Sequence, residues 1–195
     1  ACASGLYALE AAKQIIENNQ AQTVAIAASD HPDIYKYLWF RELGLYSPDG
    51  KVRPFCKDSN GLVFGDGGVG LIMESLESAR RRNAFIYAEY VGGGFDLEGW
   101  RITMPELGSE SYQRAINKAF NQSGFIKNDI DLLCPHGVGS QVIDYYESKA
   151  ITDTFGLNPE KPYITAFKPY VGHNLGSSAL LETAILLLSL KNNLI

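Results

Sequence analysis

Two histidines in glycine-bearing loops and a cysteine at the head of a helix are the residues of this chain equipped for chemistry. Cys2 stands in Ala1-Cys-Ala-Ser-Gly5, directly ahead of a run with helical spacing. Unpaired N–H groups and the positive end of a helix dipole favour the thiolate there, the form of cysteine that attacks carbonyl carbon. A lone cysteine is otherwise a small buried hydrophobe, so its context must decide. His136 in Pro135-His-Gly-Val-Gly-Ser140 and His173 in Lys168-Pro-Tyr-Val-Gly-His-Asn-Leu-Gly176 both adjoin glycine, which lets a substrate or a second backbone come close. His31, the remaining histidine, is read as structural. The Cys and His residues lack Cys-x-x-Cys or His-x-x-x-His spacing, so no metal site is expected.

A carboxylate supplies the next signal. Ile143, Glu147, Ala150, Ile151 and Phe155 share one face of a predicted helix, which sets Glu147 among apolar side chains. A buried carboxylate needs a partner. Lys168, five residues before His173, is one candidate; alternatively Glu147 lies at the edge of the face and reaches water. Asp144 falls beside Glu147 and is placed to cap the first turn of the helix.

The elements that must carry these groups follow from periodicity. Helices are predicted over residues 5–18, 76–82, 110–123, 141–155 and 177–190, and strands over 23–28, 84–91, 131–134 and 163–167. Leu62 to Phe64 and Val69 to Ser75 read as strands flanking a tight turn at Gly65–Gly68, a cluster without the Lys-Ser/Thr or GxGxxG frame of a phosphate cradle. Residues 30–60, with five aromatics between Tyr35 and Tyr46, read as a surface excursion and a candidate pocket wall. Helices alternating with strands predict an α/β layered fold around a central sheet, and no Pro-, Gly- or Ser-rich linker divides it.

Composition narrows the partners. The 195 residues carry a net charge of −5, and the basic residues are scattered except at Arg80–Arg82, so no nucleic-acid partner is expected. The Arg80–Arg82 run reads as a solvated helix end, with an acidic carrier protein as a further possibility. No apolar run approaches the roughly 20 residues that span a bilayer, so no membrane partner is expected. Cys2, Cys56 and Cys134 are odd in number and widely spaced, which fits a reducing compartment, the cytoplasm, and makes Cys56 and Cys134 packing residues. The chain opens without Met or a secretory signal and ends within an apolar helical pattern, as an internal fragment would.

Four motifs occur in order: Ala1-Cys-Ala-Ser-Gly5; Arg53-Pro-Phe55 with Gly61-Leu-Val-Phe-Gly-Asp-Gly67; His136-Gly-Val-Gly-Ser140 with Asp144 and Glu147; and Lys168 to His173-Asn-Leu-Gly176. Together they resemble the elongating β-ketoacyl-acyl-carrier-protein synthases. The resemblance implies a thiolase-like layered α-β-α-β-α fold, here incomplete, with residues 1–195 forming a partial synthase domain from the nucleophile to just before the C-terminal strands. It implies a decarboxylating Claisen condensation in fatty acid or polyketide biosynthesis, joining an acyl thioester on Cys2 to malonyl-carrier protein. His136 and His173 would polarise the malonyl thioester, Lys168 and Glu147 would set the electrostatics around them, and Ser140 and Val138 occupy the pantetheine-binding positions. The Cys2 N–H would serve in an oxyanion hole. No cofactor is implied beyond the phosphopantetheine of the acyl carrier protein, and the partners are that protein and a second subunit, as homodimer or heterodimer.

The chain departs from the family pattern at Val138 and Ser140, where two threonines are usual, and at Cys56, Ser59 and Asp66, where an acidic residue, an arginine and a glutamate are usual. Gly176-Ser-Ser-Ala179 also replaces the usual Gly-Ala-Ala-Gly. A non-condensing acyltransferase and a catalytically silent partner subunit are the alternatives. The isolated fragment is expected to be inactive and poorly folded.

Overall fold

The structure, a computed structural model, describes residues 2–100, 106, 108–157 and 160–194. In chain order it begins with α1 (Ser4–Glu17), β1 (Thr23–Asp30), α2 (Ile34–Glu42), β2 (Gly67–Glu74) and α3 (Leu76–Arg81). It continues with α4 (Glu110–Ser123), β3 (Leu132–Leu133), α5 (Gln141–Phe155), β4 (Tyr163–Ile164), α6 (Lys168–Val171) and α7 (Ser178–Lys191). The elements gather into two compact units, each discontinuous in sequence: Ala1–His31 with Asp66–Val91 and Asn174–Ile195, and Pro32–Gly65 with Gly92–His173. Among the described residues no helix is long and apolar enough to cross a membrane.

In the first unit β1 and β2 pair antiparallel from Thr23↔Glu74 to Asp30↔Gly67. One face of this ladder turns Ile26 inward, where it meets Leu9 and Ala12 of α1 and Leu180 of α7. Successive strand residues point to opposite faces, so Val24 and Ala28 join Ile26 while Ala25 and Ala27 stay exposed. Gly5 allows α1 to approach α7, because a Cβ there would lie 2.8 Å from both the Cβ and the backbone nitrogen of Leu180. The helix α3 is capped by Ser75, whose Oγ accepts the Ser78 N–H. Its basic end is tied down, Arg82 pairing with Glu74 and Arg81 with Glu77.

Two expected strand arrangements are not what forms. The segments 62–64 and 69–75 are not a hairpin: β2 takes β1 as its partner, and Leu62 and Phe64 make single parallel bridges to Tyr46 and His173. The glycines between them serve close approach rather than a turn; the Gly65 N–H, for example, donates to the His173 carbonyl at 3.1 Å. Residues 84–91 are extended but have no ladder partner among the described residues, so they are not a strand. Their inward residue Tyr90 packs against the core and donates to Glu10 at 3.0 Å, while Phe85 and Tyr87 sit under the Lys191 ammonium.

In the second unit β3 and β4 pair in parallel, Leu132↔Tyr163 and Leu133↔Ile164, in place of the longer strands expected. The helices α4 and α5 pack on each other through an edge-on contact of Phe120 with Phe155, ring centres 6.3 Å apart. The 30–60 excursion contains α2, which periodicity missed, opened by the Asp33 side chain accepting the Lys36 N–H at 2.9 Å. Residues Gly50–Arg53 line a cleft of about 520 Å³ together with Val63, Phe64 and Lys168–Gly172, as a pocket wall would.

Alanine is the better helix former by about 1 kcal/mol, but overpacking a close contact costs about 1–3 kcal/mol. Gly5→Ala is therefore expected to destabilise the protein in urea unfolding. Leu180→Ala, at a fully buried side chain, is expected to cost about 2–5 kcal/mol in the same measurement.

Candidate active site

The loop 135–140 runs from β3 into α5, and the first turns of α5 hold it. Glu147 accepts the His136 N–H at 2.5 Å through Oε1 and the Gly137 N–H at 2.8 Å through Oε2. One turn earlier, Asp144 accepts the Val138 N–H at 3.1 Å and the Gly139 N–H at 3.1 Å and 3.2 Å. Its Oδ2 also takes the Phe55 N–H at 2.9 Å. Residues three apart on a helix share a face, so two carboxylates reach successive peptides of one loop. Asp144 thus caps the loop and not, as expected, the first turn of its own helix. Gly137 and Gly139 have positive φ, +47° and +81°, and a Cβ on Gly139 would lie 2.8 Å from the Gly61 carbonyl oxygen. The Gly61 N–H in turn donates to the Gly139 carbonyl at 2.8 Å, which joins this loop to the 53–61 segment.

Lys168, 1% exposed, donates to the His136 carbonyl at 2.5 Å. The His136 backbone is therefore gripped at both ends, its N–H by the Glu147 carboxyl group and its C=O by Lys168. Glu147 is 5% exposed, which excludes the reading in which it reaches water at the edge of the helix face. His173 is 2% exposed, and its backbone N–H donates to Val63 O at 2.7 Å. The two imidazoles meet edge to face, centroids 5.2 Å apart and planes at 81°.

The second unit thus brings together His136, His173, Lys168, Glu147 and Asp144. Cys2 belongs to the first unit, half-buried in the turn before α1. Val138 is fully buried and Ser140 is 7% exposed at the head of α5. Cys56 is exposed, with Sγ 3.5 Å from the Pro54 carbonyl, and so is not the packing residue expected. The polar contacts of Arg53 with Asp49 and Asp58 shape its turn instead. Ser59 is buried and donates to the Arg53 carbonyl. Asp66 pairs on the surface with His31 at 2.8 Å.

Residue-by-residue reading gave Phe55 no place in this site. It has a positive φ of +59°, unusual for an aromatic residue, and its ring lies 3.3 Å from where a Gly137 Cβ would be. Nothing local in the sequence announces these contacts; the hydrogen bond from the Phe55 N–H to Asp144 joins residues 89 positions apart.

Burial sets the charge state of the cluster. It lowers the His136 pKa well below its usual value, and the nearby Lys168 and His173 act in the same direction, so His136 is neutral at pH 7. Burial also pushes Glu147 up to about 7, aided by Asp144 and opposed by the N–H groups of Gly137 and His136 and by Lys168. Asp144 is raised too, first by burial and against the three N–H groups it accepts. A neutral imidazole offers one N–H donor and one acceptor, so this pocket presents hydrogen-bond donors without a cationic ring at His136.

Residues 87–195 match the model of the β-ketoacyl synthase C-terminal domain, and residues 1–79 match that of the N-terminal domain. The chain belongs to the β-ketoacyl synthase family. A 3-oxoacyl-[acyl-carrier-protein] synthase 2 of Coxiella burnetii is 30% identical over 99% of this chain and 48% of its own. One of Staphylococcus aureus is 32% identical over 99% and 49%. The chain spans about half the length of the curated relatives it matches. Among solved structures, a β-ketoacyl synthase from Burkholderia phymatum superposes with a TM-score of 0.91 at 31% identity, covering 99% of this chain and 47% of that one. A type II polyketide ketosynthase, in complex with its acyl-carrier protein and bound to a hexaketide, gives 0.90 at 28% identity, covering 96% and 48%. The fold is the α/β, thiolase-like fold of these ketosynthases.

The raised Glu147 pKa has a defined effect on stability. From pH 4.5 to 7 the unfolded chain releases this proton while the folded one keeps it. The contribution is therefore fully present below about 4.5 and is lost as pH rises through 7. His136 has the opposite sign: its lowered pKa gives stability that is full above 6.5 and lost as pH falls. In urea unfolding, the stability advantage of the parent protein over Glu147→Gln is expected to shrink from pH 5 to pH 7, His136 cancelling in the difference. A pH-independent difference contradicts this assignment.

Proposed function

We propose that the protein carrying this chain is a β-ketoacyl-acyl-carrier-protein synthase and that residues 1–195 are part of its catalytic domain. The single observation that carries the reading is the facing pair His136 and His173, 5.2 Å apart, with His136 held neutral by burial and by the Lys168 charge. On this reading the Cys2 thiolate attacks the carbonyl carbon of an acyl thioester. The bond to the pantetheine sulfur breaks, the carrier leaves as a thiolate that takes a proton from solvent, and the acyl group stays on Cys2. Malonyl-carrier protein then enters. His136 and His173 donate hydrogen bonds to its thioester oxygen, and the bond to the terminal carboxylate breaks, releasing carbon dioxide and leaving an enolate. The enolate carbon attacks the acyl-Cys2 carbonyl and the thiolate is expelled, ready for another cycle.

A neutral His136 ring suits this task because it donates one N–H to the developing enolate oxygen and is too weak an acid to hand that proton over. Lys168 and Glu147 act as positioning residues through the His136 peptide. Ser140 retains a hydroxyl for the pantetheine arm, and Val138 does not. The reaction so described uses no cofactor beyond the phosphopantetheine of the carrier. The cytoplasmic setting and the pairing with a second subunit belong to the same proposal.

Val138 favours a second reading, a catalytically silent partner subunit of a ketosynthase heterodimer, whereas an acyltransferase that does not condense would be marked by loss of the His136 or His173 role. The presence of Cys2, His136, His173 and Lys168 together favours the first.

Intact-protein mass spectrometry of the complete parent protein with an acyl-carrier-protein thioester separates them. The expected result is a mass gain equal to the acyl group, absent in Cys2→Ala. With malonyl-carrier protein added, His173→Ala is expected to acylate normally but to condense about 100- to 1000-fold more slowly, as for loss of one oxyanion donor. No adduct on a folded protein across several chain lengths would sink the enzymatic reading.

A further inference from the structure

The backbone of His173 is tied to the segment Val63–Gly65. Its N–H donates to Val63 O at 2.7 Å and its carbonyl accepts the Gly65 N–H at 3.1 Å, an isolated parallel bridge centred on Phe64. The preceding Gly172 has φ +71°, and a Cβ there would lie 2.7 Å from the Gly65 nitrogen, so the two strands of backbone touch without room for a side chain. The four-residue helix α6 that delivers His173 has no core of its own, and Tyr170 within it is 86% exposed. The position of His173 thus rests on how firmly residues 63–65 are held.

Phe64 does the holding. Its ring meets Phe40 edge to face at 5.0 Å and Tyr46 at 5.5 Å, and Tyr46 meets Tyr37 at 4.8 Å. Tyr37 and Phe40 lie three apart on α2, so one face of that helix supplies half of the cluster. The aromatics of the 30–60 excursion are therefore a footing beneath His173. We propose that Phe64 is a positioning residue for His173, with the Phe40–Tyr46 cluster as its anchor. The proposal rests on the condensing role given above to His173, but the placement itself is testable without it.

The test uses the complete parent protein and diethyl pyrocarbonate, which carbethoxylates accessible imidazoles, with modification of each histidine followed by peptide mass spectrometry. His31, whose side chain is 76% exposed, is the internal reference. In Phe64→Ala, modification of His173 relative to His31 is expected to rise at least about tenfold. Condensation is expected to fall up to about 100-fold, the cost of misplacing a reacting group by about 1 Å. Acylation of Cys2 should keep its rate, which separates lost positioning from general damage. Phe64→Tyr should behave as the parent, and Phe64→Leu, which keeps apolar bulk without the ring contacts, should fall between them and covers the case in which Phe64→Ala does not fold. Phe120→Ala, a ring removed from the α4–α5 contact of the same unit, should leave His173 protected. A folded Phe64→Ala or Phe64→Leu with unchanged His173 modification overturns the proposal. If the parent itself acylates but does not condense, the functional reading fails while the modification ratio still decides the role of Phe64.

Discussion

Two carboxylates on successive turns of α5 accept the backbone N–H groups of residues 136, 137, 138 and 139, and Asp144 adds that of residue 55. Glycine-rich loops have no conformation of their own; Gly137 and Gly139 are free to occupy left-handed geometry but are not driven there. What fixes this loop is hydrogen bonding to two buried carboxyl groups, charge-assisted when they are ionised. Such bonds are roughly twice as strong as those between neutral groups. Remove the carboxylates and five amide donors lose their acceptors, each at about 1–3 kcal/mol if left buried.

The arrangement has an electrostatic cost. Burial raises both Glu147 and Asp144 toward the neutral form, and Asp144 raises Glu147 further. Lys168 offsets part of this, and the same positive charge helps to keep the adjacent imidazole uncharged. The Lys168 charge therefore acts in two directions, opposing the rise of both carboxyl groups and helping to keep His136 neutral. This is the sense in which the polar cluster is a unit: Lys168 bears on the protonation of His136 and of both carboxyl groups.

Much of this was legible in the sequence because it is local. The helices α4 and α5 show their apolar stripes directly, and Glu147 stood out as a charge on the apolar face of α5. What was not legible depends on contacts between distant segments. The glycines at 65–68 carry the same signal whether they turn a hairpin or admit a neighbouring backbone, and only the pairing of β1 with β2 tells these apart. Residues 84–91 are a mostly apolar run of strand length, yet a strand exists only with a partner. Asp144 looked like a helix cap because the sequence shows its position on α5 but not the path of the loop that folds back over it. The helix α2 hid because its apolar residues are spread around the helix, with the inward face spent on aromatic contacts to Tyr46 and Phe64.

The grip on residue 136 runs through its peptide: Glu147 takes the N–H and Lys168 meets the carbonyl, neither touching the imidazole in doing so. Scaffold and reagent are thereby separated at this position. Neither of these two hydrogen bonds requires an imidazole at position 136. A lineage that keeps the two carboxylates and the lysine is free to exchange the group at 136 for another of similar size and inherit a preformed, enclosed site for different chemistry.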